Sequence, residues 1–231
     1  MKYKNKAAAV EAVIKAARAE VGYAAKANKE NKYAEYLTKL GNYYNGAKWS
    51  PGWSCDWCDI FVDYIFLKTF GNPEGRDMLY QPEKSLGAGC EYSANYFIKY
   101  GAWSKTPEVG DQGFLGIRGD EYHTGIVSAV SGNKITLIEG NAGGGNGKVV
   151  ERTWTLNQFS GFGKPDYEMM VTSDPGPSVK LSIDEITSEL NKKAKATLKG
   201  EYGNGKARVE NLGAWYEPVQ WIINKNLGYI K

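Results

Sequence analysis

The sequence predicts an α+β fold, with helices first, an antiparallel sheet after them and a small helical unit at the end. Three observations predict it. Apolar residues recur at helical spacing near the N-terminus and again in "CDIFVDYIFLKTF" at 58–70. From about residue 112 the pattern turns into short β-rich runs joined by a two-residue turn signal. The stretch "TSDPGPSVKLS" at 172–182, rich in proline and hydroxyl residues, reads as a linker before a helical tail. The expected organisation is a catalytic-sized unit at 1–172, a linker at 173–181 and a three-helix unit at 182–231.

The first helix places Val10, Val13, Ile14, Ala17 and Val21 on one face. A Gly- and Tyr-rich loop follows. The next helix carries Cys58, Phe61, Val62, Ile65, Phe66 and Phe70 on its apolar face. Asp56 and Asp59 stand at its first turn, where the positive end of the helix dipole favours an acid. In the sheet region "GIVSAV" and "KITLIEG" flank Ser131-Gly132-Asn133-Lys134, a hairpin signal. "VVERTWTL" adds a strand and "YEMMVT" a last one. In the tail, "SIDEITSELNKKAKATL", "GKARVENLG" and "EPVQWIINKNLG" read as three short helices. Ser182 and Glu185 form a capping box before the first, and Pro218 suits a first helical turn.

Composition narrows the function classes. The chain is 42% apolar and 24% charged, as soluble proteins are. No apolar run approaches the roughly 18 residues a membrane helix needs. The N-terminus opens with Lys2, Lys4 and Lys6, but Glu11, Lys15 and Arg18 interrupt what would be a signal core, so no export signal is expected. Residues 1–174 carry 20 basic and 20 acidic side chains; residues 175–231 carry 9 and 6. That modest basic excess suits an anionic surface, not nucleic acid.

Three cysteines, Cys55, Cys58 and Cys90, accompany a single histidine, His123. An odd count disfavours a disulfide scaffold, and Cys55 and Cys90 are free or paired with each other. Cys55, Cys58, Cys90 and His123 would make a Cys3His zinc set, yet only one close pair is present. A thioredoxin-like C-x-x-C would follow a strand, whereas this one follows a loop. Cys58 could also be a small buried hydrophobe heading an apolar helix face.

The hairpin favours a chemical role. With Gly132 and Asn133 in the turn, paired positions sum to about 265, and His123 faces the Asn141–Ala142 region. Glu139 and Asn141 share a face, and a slip of one residue would exchange the face of His123. A helix start stabilises a thiolate at Cys58, and a neighbouring imidazolium does so further. Cys58 would attack an amide carbonyl and His123 would protonate the leaving amine. Glu139 or Asn141 would orient the imidazole, and the Cys58 backbone N–H would meet the oxyanion.

These residues, read with "WCDIFVDYIF", "GAGCEYSANYF", "VGDQGFLG", "YHTGIVSAV" and "LIEGNAGG", resemble the CHAP domains of phage lysins and bacterial wall-remodelling enzymes. The resemblance covers most of residues 5–172. It implies a papain-like α+β fold, cleavage of an amide bond in peptidoglycan, and Cys58 as nucleophile instead of Cys55. Some members bind calcium through an Asp-rich loop. Here a single acid precedes Cys58 in that loop, so no metal and no cofactor are expected. Trp53, Trp57, Trp103 and Tyr122 flank the catalytic stretches and are candidates to line a substrate groove.

The tail, "LKGEYGNGKARVENLGAWYEPVQWIIN", is similar to the short three-helix wall-binding repeats of some phage lysozymes, through Gly200, Tyr202, Gly203, Asn204, Gly205, Arg208, Tyr216, Val219, Gln220 and Asn224. It implies wall binding through Tyr202, Asn204, Arg208 and Gln220. The "YGNG" loop also reads as a turn that needs positive φ at its glycines. The expected partner is bacterial peptidoglycan, with neither nucleic acid nor membrane insertion. Met169 and Met170 precede the linker, and translation from there would supply free tail units for self-association with the full chain. Taken together the sequence reads as an endolysin, made in the host cytoplasm and acting on the wall after release. A non-catalytic wall-binding protein and a zinc-stabilised module are the rival readings.

Overall fold

The computed structural model describes residues 2–26, 30–40, 56–82, 89–143, 147–172 and 183–227. The expected linker, Ser182 of the capping box, Trp53 and Cys55 lie outside the described residues. The chain divides into two compact units, Met1–Ser173 and Asp174–Lys231.

The first unit is α+β, as the patterning predicts. Helix α1 spans Lys6–Arg18 and is capped by the Asn5 side chain, which accepts from the Ala8 N–H. It buries Ala9, Val13, Ile14 and Ala17. Val21 lies beyond its end and is largely exposed, so Ala9 takes the place expected for it. Helix α2, Lys32–Leu40, stands where only a loop was expected. Tyr33 and Leu37 anchor it in the core. Helix α3, Cys58–Phe70, is the central element. It is buried on every side, including Asp59 and Asp63, and not on one stripe as the spacing suggested. Helices α4, Glu74–Met78, and α5, Cys90–Lys99, follow it.

Six strands form one antiparallel sheet: β1 Trp103–Ser104, β2 Gln112–Ile117, β3 Asp120–Ser131, β4 Lys134–Ala142, β5 Lys148–Thr155 and β6 Phe159–Gly163. Their spatial order is β1-β6-β2-β3-β4-β5. The expected final strand "YEMMVT" is instead a 3-10 turn at Tyr167–Met170, and the strand lies earlier, in "FSGFG". Glycines at 161 and 163 hid it. A Cβ at either position would collide with Trp103 or Phe97, so this strand needs bare backbone. The helices cover one sheet face through Phe114, Ile126, Ile138 and Val149. A smaller cluster of Leu115, Val127, Ile135, Leu137, Phe159 and Phe162 fills the other.

The β3–β4 register decides where the site forms. Ser131 pairs with Lys134, and Gly132 alone of the two turn residues takes positive φ, as a type II′ turn requires. The register then shifts between Val127 and Ala129. Ser128 is the extra residue of this bulge, and its hydroxyl donates to Glu151 Oε1 at 2.8 Å. Beyond it Val127 pairs with Leu137 and Ile126 with Ile138, one residue off the simple hairpin count. The shift places His123 and Glu139 on the same face. A Cβ at Gly125 would lie 3.0 Å from the Glu139 Cβ, which agrees with that register.

The second unit holds α6 Ile183–Leu198, α7 Lys206–Leu212 and α8 Tyr216–Asn226, with a 3-10 turn between the last two. Ala194, Leu212, Val219 and Ile223 form its small core, with Leu190, Tyr202, Trp215, Tyr216 and Ile222 around them.

Helix α3 and strand β4 touch through Gly140. A Cβ there would sit 2.5 Å from Phe61 Cβ and 2.7 Å from the Trp57 ring. Gly140→Ala is therefore expected to destabilise the first unit by about 1–3 kcal/mol. Denaturant unfolding of the full chain measures this, and an unchanged midpoint would show that the two elements have room to separate.

Candidate active site

Cys58 is the first residue of α3, preceded by Trp57, whose ring packs on Tyr33 at 5.3 Å. That packing pins the helix start, because Trp57 is fully buried. Its expected place in a substrate groove is therefore corrected to the core. Cys58 itself is 4% exposed. Its N–H belongs to the first helical turn, which has no intrahelical acceptor.

Three groups surround the Cys58 sulfur. The Cys90 Sγ, at the first residue of α5, lies 3.6 Å away. The Cys90 thiol, then the His123 imidazole and the Asp59 backbone N–H, favour the Cys58 thiolate, while burial opposes it. The balance brings the thiol down to about 5. Burial alone would push His123 toward neutrality. Its hydrogen bonds and charge interactions with Cys58 and Glu139 outweigh that and hold it up at about 9. Both shifts run in the direction that favours thiolate and imidazolium over two neutral partners.

His123 comes from β3, with its side chain 14% exposed. Its Nε2 faces Glu139 Oε2 at 3.3 Å, and the ring also interacts with the Cys58 side chain. Glu139, in β4, is fully buried. Its Oε2 also accepts from Trp154 Nε1 at 2.9 Å. Arg152 Nε lies 3.4 Å from Oε1 as an ion pair outside hydrogen-bond geometry, and the guanidinium stacks over the Trp154 ring. Trp154 and Arg152, both on β5, thus fix the carboxylate that fixes the imidazole. Sequence reasoning missed them. Their alternation in "ERTWT" is the only signal present, and it does not say which carboxylate they meet.

Asn141, the alternative to Glu139, has its side chain directed to Asp56. It sits at φ +57, and its Nδ2 donates to Asp56 Oδ1 at 2.9 Å. It ties β4 to Asp56, two residues before Cys58, and Glu139 is the carboxylate beside the His123 ring. Of the groove candidates, Tyr122, which precedes His123 in β3, is exposed. Trp103 is half-buried against Phe114 at 5.4 Å.

A buried polar network lies under the site. Asp59 Oδ2 accepts from Ser93 at 2.7 Å and Oδ1 from Gln112 Nε2 at 2.9 Å. Gln112 Nε2 also reaches Thr124 Oγ1 at 3.2 Å. Burial raises the Asp59 carboxyl to about 7, against those two hydrogen bonds. Asp59 was expected to serve the helix dipole; it is instead the joint between α3, α5, β2 and β3. Among the described residues no three His, Cys, Asp or Glu side chains are grouped to hold a metal ion.

In the tail, Arg208 donates from Nε to the Gly203 carbonyl at 3.1 Å and from Nη2 to Asn204 Oδ1 at 2.8 Å. Both bonds brace the "YGNG" turn, where Gly203 and Gly205 have positive φ. Tyr202 is half-buried under Lys193. Gln220 donates to Asn224 at 3.0 Å.

Residues 191–227 match the family model of the CW_7 repeat. No curated protein matches the chain. Among solved structures, the chain is similar to one described as "the crystal structure of Ly7917 with the hydrolyzing product of MDP", at 16% identity and a TM-score of 0.42. A second structure of Ly7917 gives 16% identity and a TM-score of 0.40. Each alignment covers 68% of this chain, which spans about three fifths (62%) of the length of those structures.

Proposed function

We propose that the chain is a peptidoglycan hydrolase of the CHAP kind, an amidase or endopeptidase that cuts an amide bond of the wall peptide with Cys58 as nucleophile. The observation that carries this reading is the line Cys58–His123–Glu139, with the sulfur at a helix N-terminus and the imidazole held by a buried carboxylate.

The chemistry follows from the shifts of Cys58 and His123 toward thiolate and imidazolium. The Cys58 thiolate attacks the amide carbon, and the carbonyl oxygen takes up negative charge beside the free N–H of the helix start. The tetrahedral adduct collapses as the His123 imidazolium gives a proton to the departing amine. A thioester on Cys58 remains. Neutral His123 then takes a proton from water, which attacks the thioester and frees the carboxylic acid. Glu139 holds the ring beside the sulfur, and its charge supports the imidazolium.

The match to the CW_7 repeat supports a wall-binding role for the tail unit. The resemblance to lysin domains supports a phage endolysin, made in a host cytoplasm and acting on the wall after release. In this reading Arg208 and Asn204 shape the turn that meets the wall, with Tyr202 and Gln220 beside it.

Cys58→Ala is expected to lower lysis of purified walls by roughly 10³-fold or more, with an unchanged circular dichroism spectrum. Mass spectrometry of walls digested by the native chain would show one new amine and one new carboxyl terminus per cut, and lysis persisting in the variant would refute the assignment. Alkylation of Cys58 by iodoacetamide should set in near pH 5, far below the 9.0 of an ordinary thiol. Wall lysis should hold from about pH 5 to about pH 9, where His123 loses its proton. Glu139→Gln removes an anion that keeps this proton on, so the alkaline limb should move to lower pH and the rate should fall about 10²- to 10⁴-fold. An unmoved limb would show that Glu139 does not govern the imidazole.

A further inference from the structure

Hydrolysis as described leaves one reactive group without a step of its own. Cys90 heads α5 as Cys58 heads α3, so two helix starts converge on one pair of sulfurs. The sulfurs lie 3.6 Å apart, and the residues are 4% and 6% exposed. Both cysteines are free thiols. A disulfide has its sulfurs about 2.05 Å apart, so the gap to close is roughly 1.5 Å, on the scale of a side-chain rotation. Neither helix has to unwind for it, because each cysteine is a terminal residue of its helix.

We propose that Cys58 and Cys90 are a modification site, a thiol pair that oxidant converts to a reversible disulfide and so caps the nucleophile. That the cap switches off wall cleavage rests on the function proposed above; the bond itself does not.

The oxidant class is a peroxide. The Cys58 thiolate attacks one oxygen of hydrogen peroxide. An S–O bond forms, the O–O bond breaks, and the departing hydroxide takes a proton from the His123 imidazolium to leave as water. Cys58 is then a sulfenic acid. Cys90 sulfur attacks the Cys58 sulfur. An S–S bond forms, the S–O bond breaks, and hydroxide leaves with the Cys90 proton as a second water. Two thiols and one peroxide give one disulfide and two waters.

The environment orders these steps. Cys58 carries the low-pKa thiol, and it reacts first. While Cys58 is a thiolate, its hydrogen bond and then burial keep the proton on Cys90. Conversion of Cys58 to a neutral sulfenic acid removes the larger of these restraints, so Cys90 becomes a nucleophile at the moment one is needed. The partner thiol is already 3.6 Å away, so the sulfenic acid meets Cys90 before a second peroxide arrives.

The test uses the full reduced chain, with peroxide at neutral pH, followed by intact mass and a non-reducing digest. The expected result is the loss of two hydrogen atoms and a cross-linked peptide joining Cys58 to Cys90. The same cross-link should form in a Cys55→Ser chain. Wall lysis should fall in proportion to the cross-linked fraction and return with dithiothreitol. In Cys90→Ser, prolonged peroxide should carry Cys58 on to sulfinic acid, and dithiothreitol should not restore lysis. Cys58 recovered from the native chain as sulfinic acid, or linked to Cys55 with Cys90 still open to alkylation, would overturn the proposal. The mass map needs no substrate. A cross-link in a chain that never lyses walls would remove the hydrolase and leave the thiol pair; lysis without a cross-link would do the reverse.

Discussion

The arrangement around Cys58 depends on making a charged sulfur tolerable inside the protein. Removing an ion from water costs several kcal/mol even after relaxation, and Cys58 is almost wholly enclosed. The cost is offset by three donors: the Cys90 thiol, the His123 imidazole and the Asp59 N–H in the first turn of α3. Each donor comes from a different piece of chain, or from a backbone position the helix start alone supplies. The tertiary fold is therefore what makes the thiol acidic. A cysteine at the same place in an unfolded chain would be ordinary.

The same constraint explains the company α3 keeps. Asp59 and Asp63 are buried on the helix that carries Cys58, and burial raises both carboxyls. Held nearer neutrality, they add less negative charge close to the thiolate than two ionised acids would. Gln81 donates to Asp63 at 2.6 Å, and Ser93 and Gln112 donate to Asp59. These bonds join the helix to its neighbours with direction, where apolar packing alone would let it slide. On the far side Glu139 stays anchored by Trp154 and Arg152. Acids that stabilise the imidazolium and acids that hold the scaffold thus occupy separate layers.

Much of this was legible in the sequence, for physical reasons that also mark its limits. The α+β class, α1, α3 and the β3–β4 hairpin follow from periodicity and turn chemistry, which are local. Cys58, His123 and Glu139 stood out because each is chemically rare or sits at a helix start or hairpin end. The bulge at Ser128 was not legible, since an extra residue in a strand leaves no mark on a polar–apolar alternation of this length. Without it the hairpin count puts His123 and Glu139 on opposite faces. Helix α2 was hidden in a Tyr-rich stretch whose faces become clear only against Trp57 and Tyr64. Cys90 was visible, but its distance to Cys58 depends on α5, which carries no strong start signal. Asn141 and Trp57 were assigned by proximity in sequence, and their side chains turn elsewhere.

The first unit is also closed at its own ends. Tyr3 bridges Val171 in parallel, its N–H meets the Met170 carbonyl, and Thr172 returns a bond to the Tyr3 carbonyl. Tyr3 and Val171 therefore share one seam, well separated in sequence from Cys58, His123 and Glu139. A module sewn shut in this way can carry a different neighbour at either border with little change to its interior.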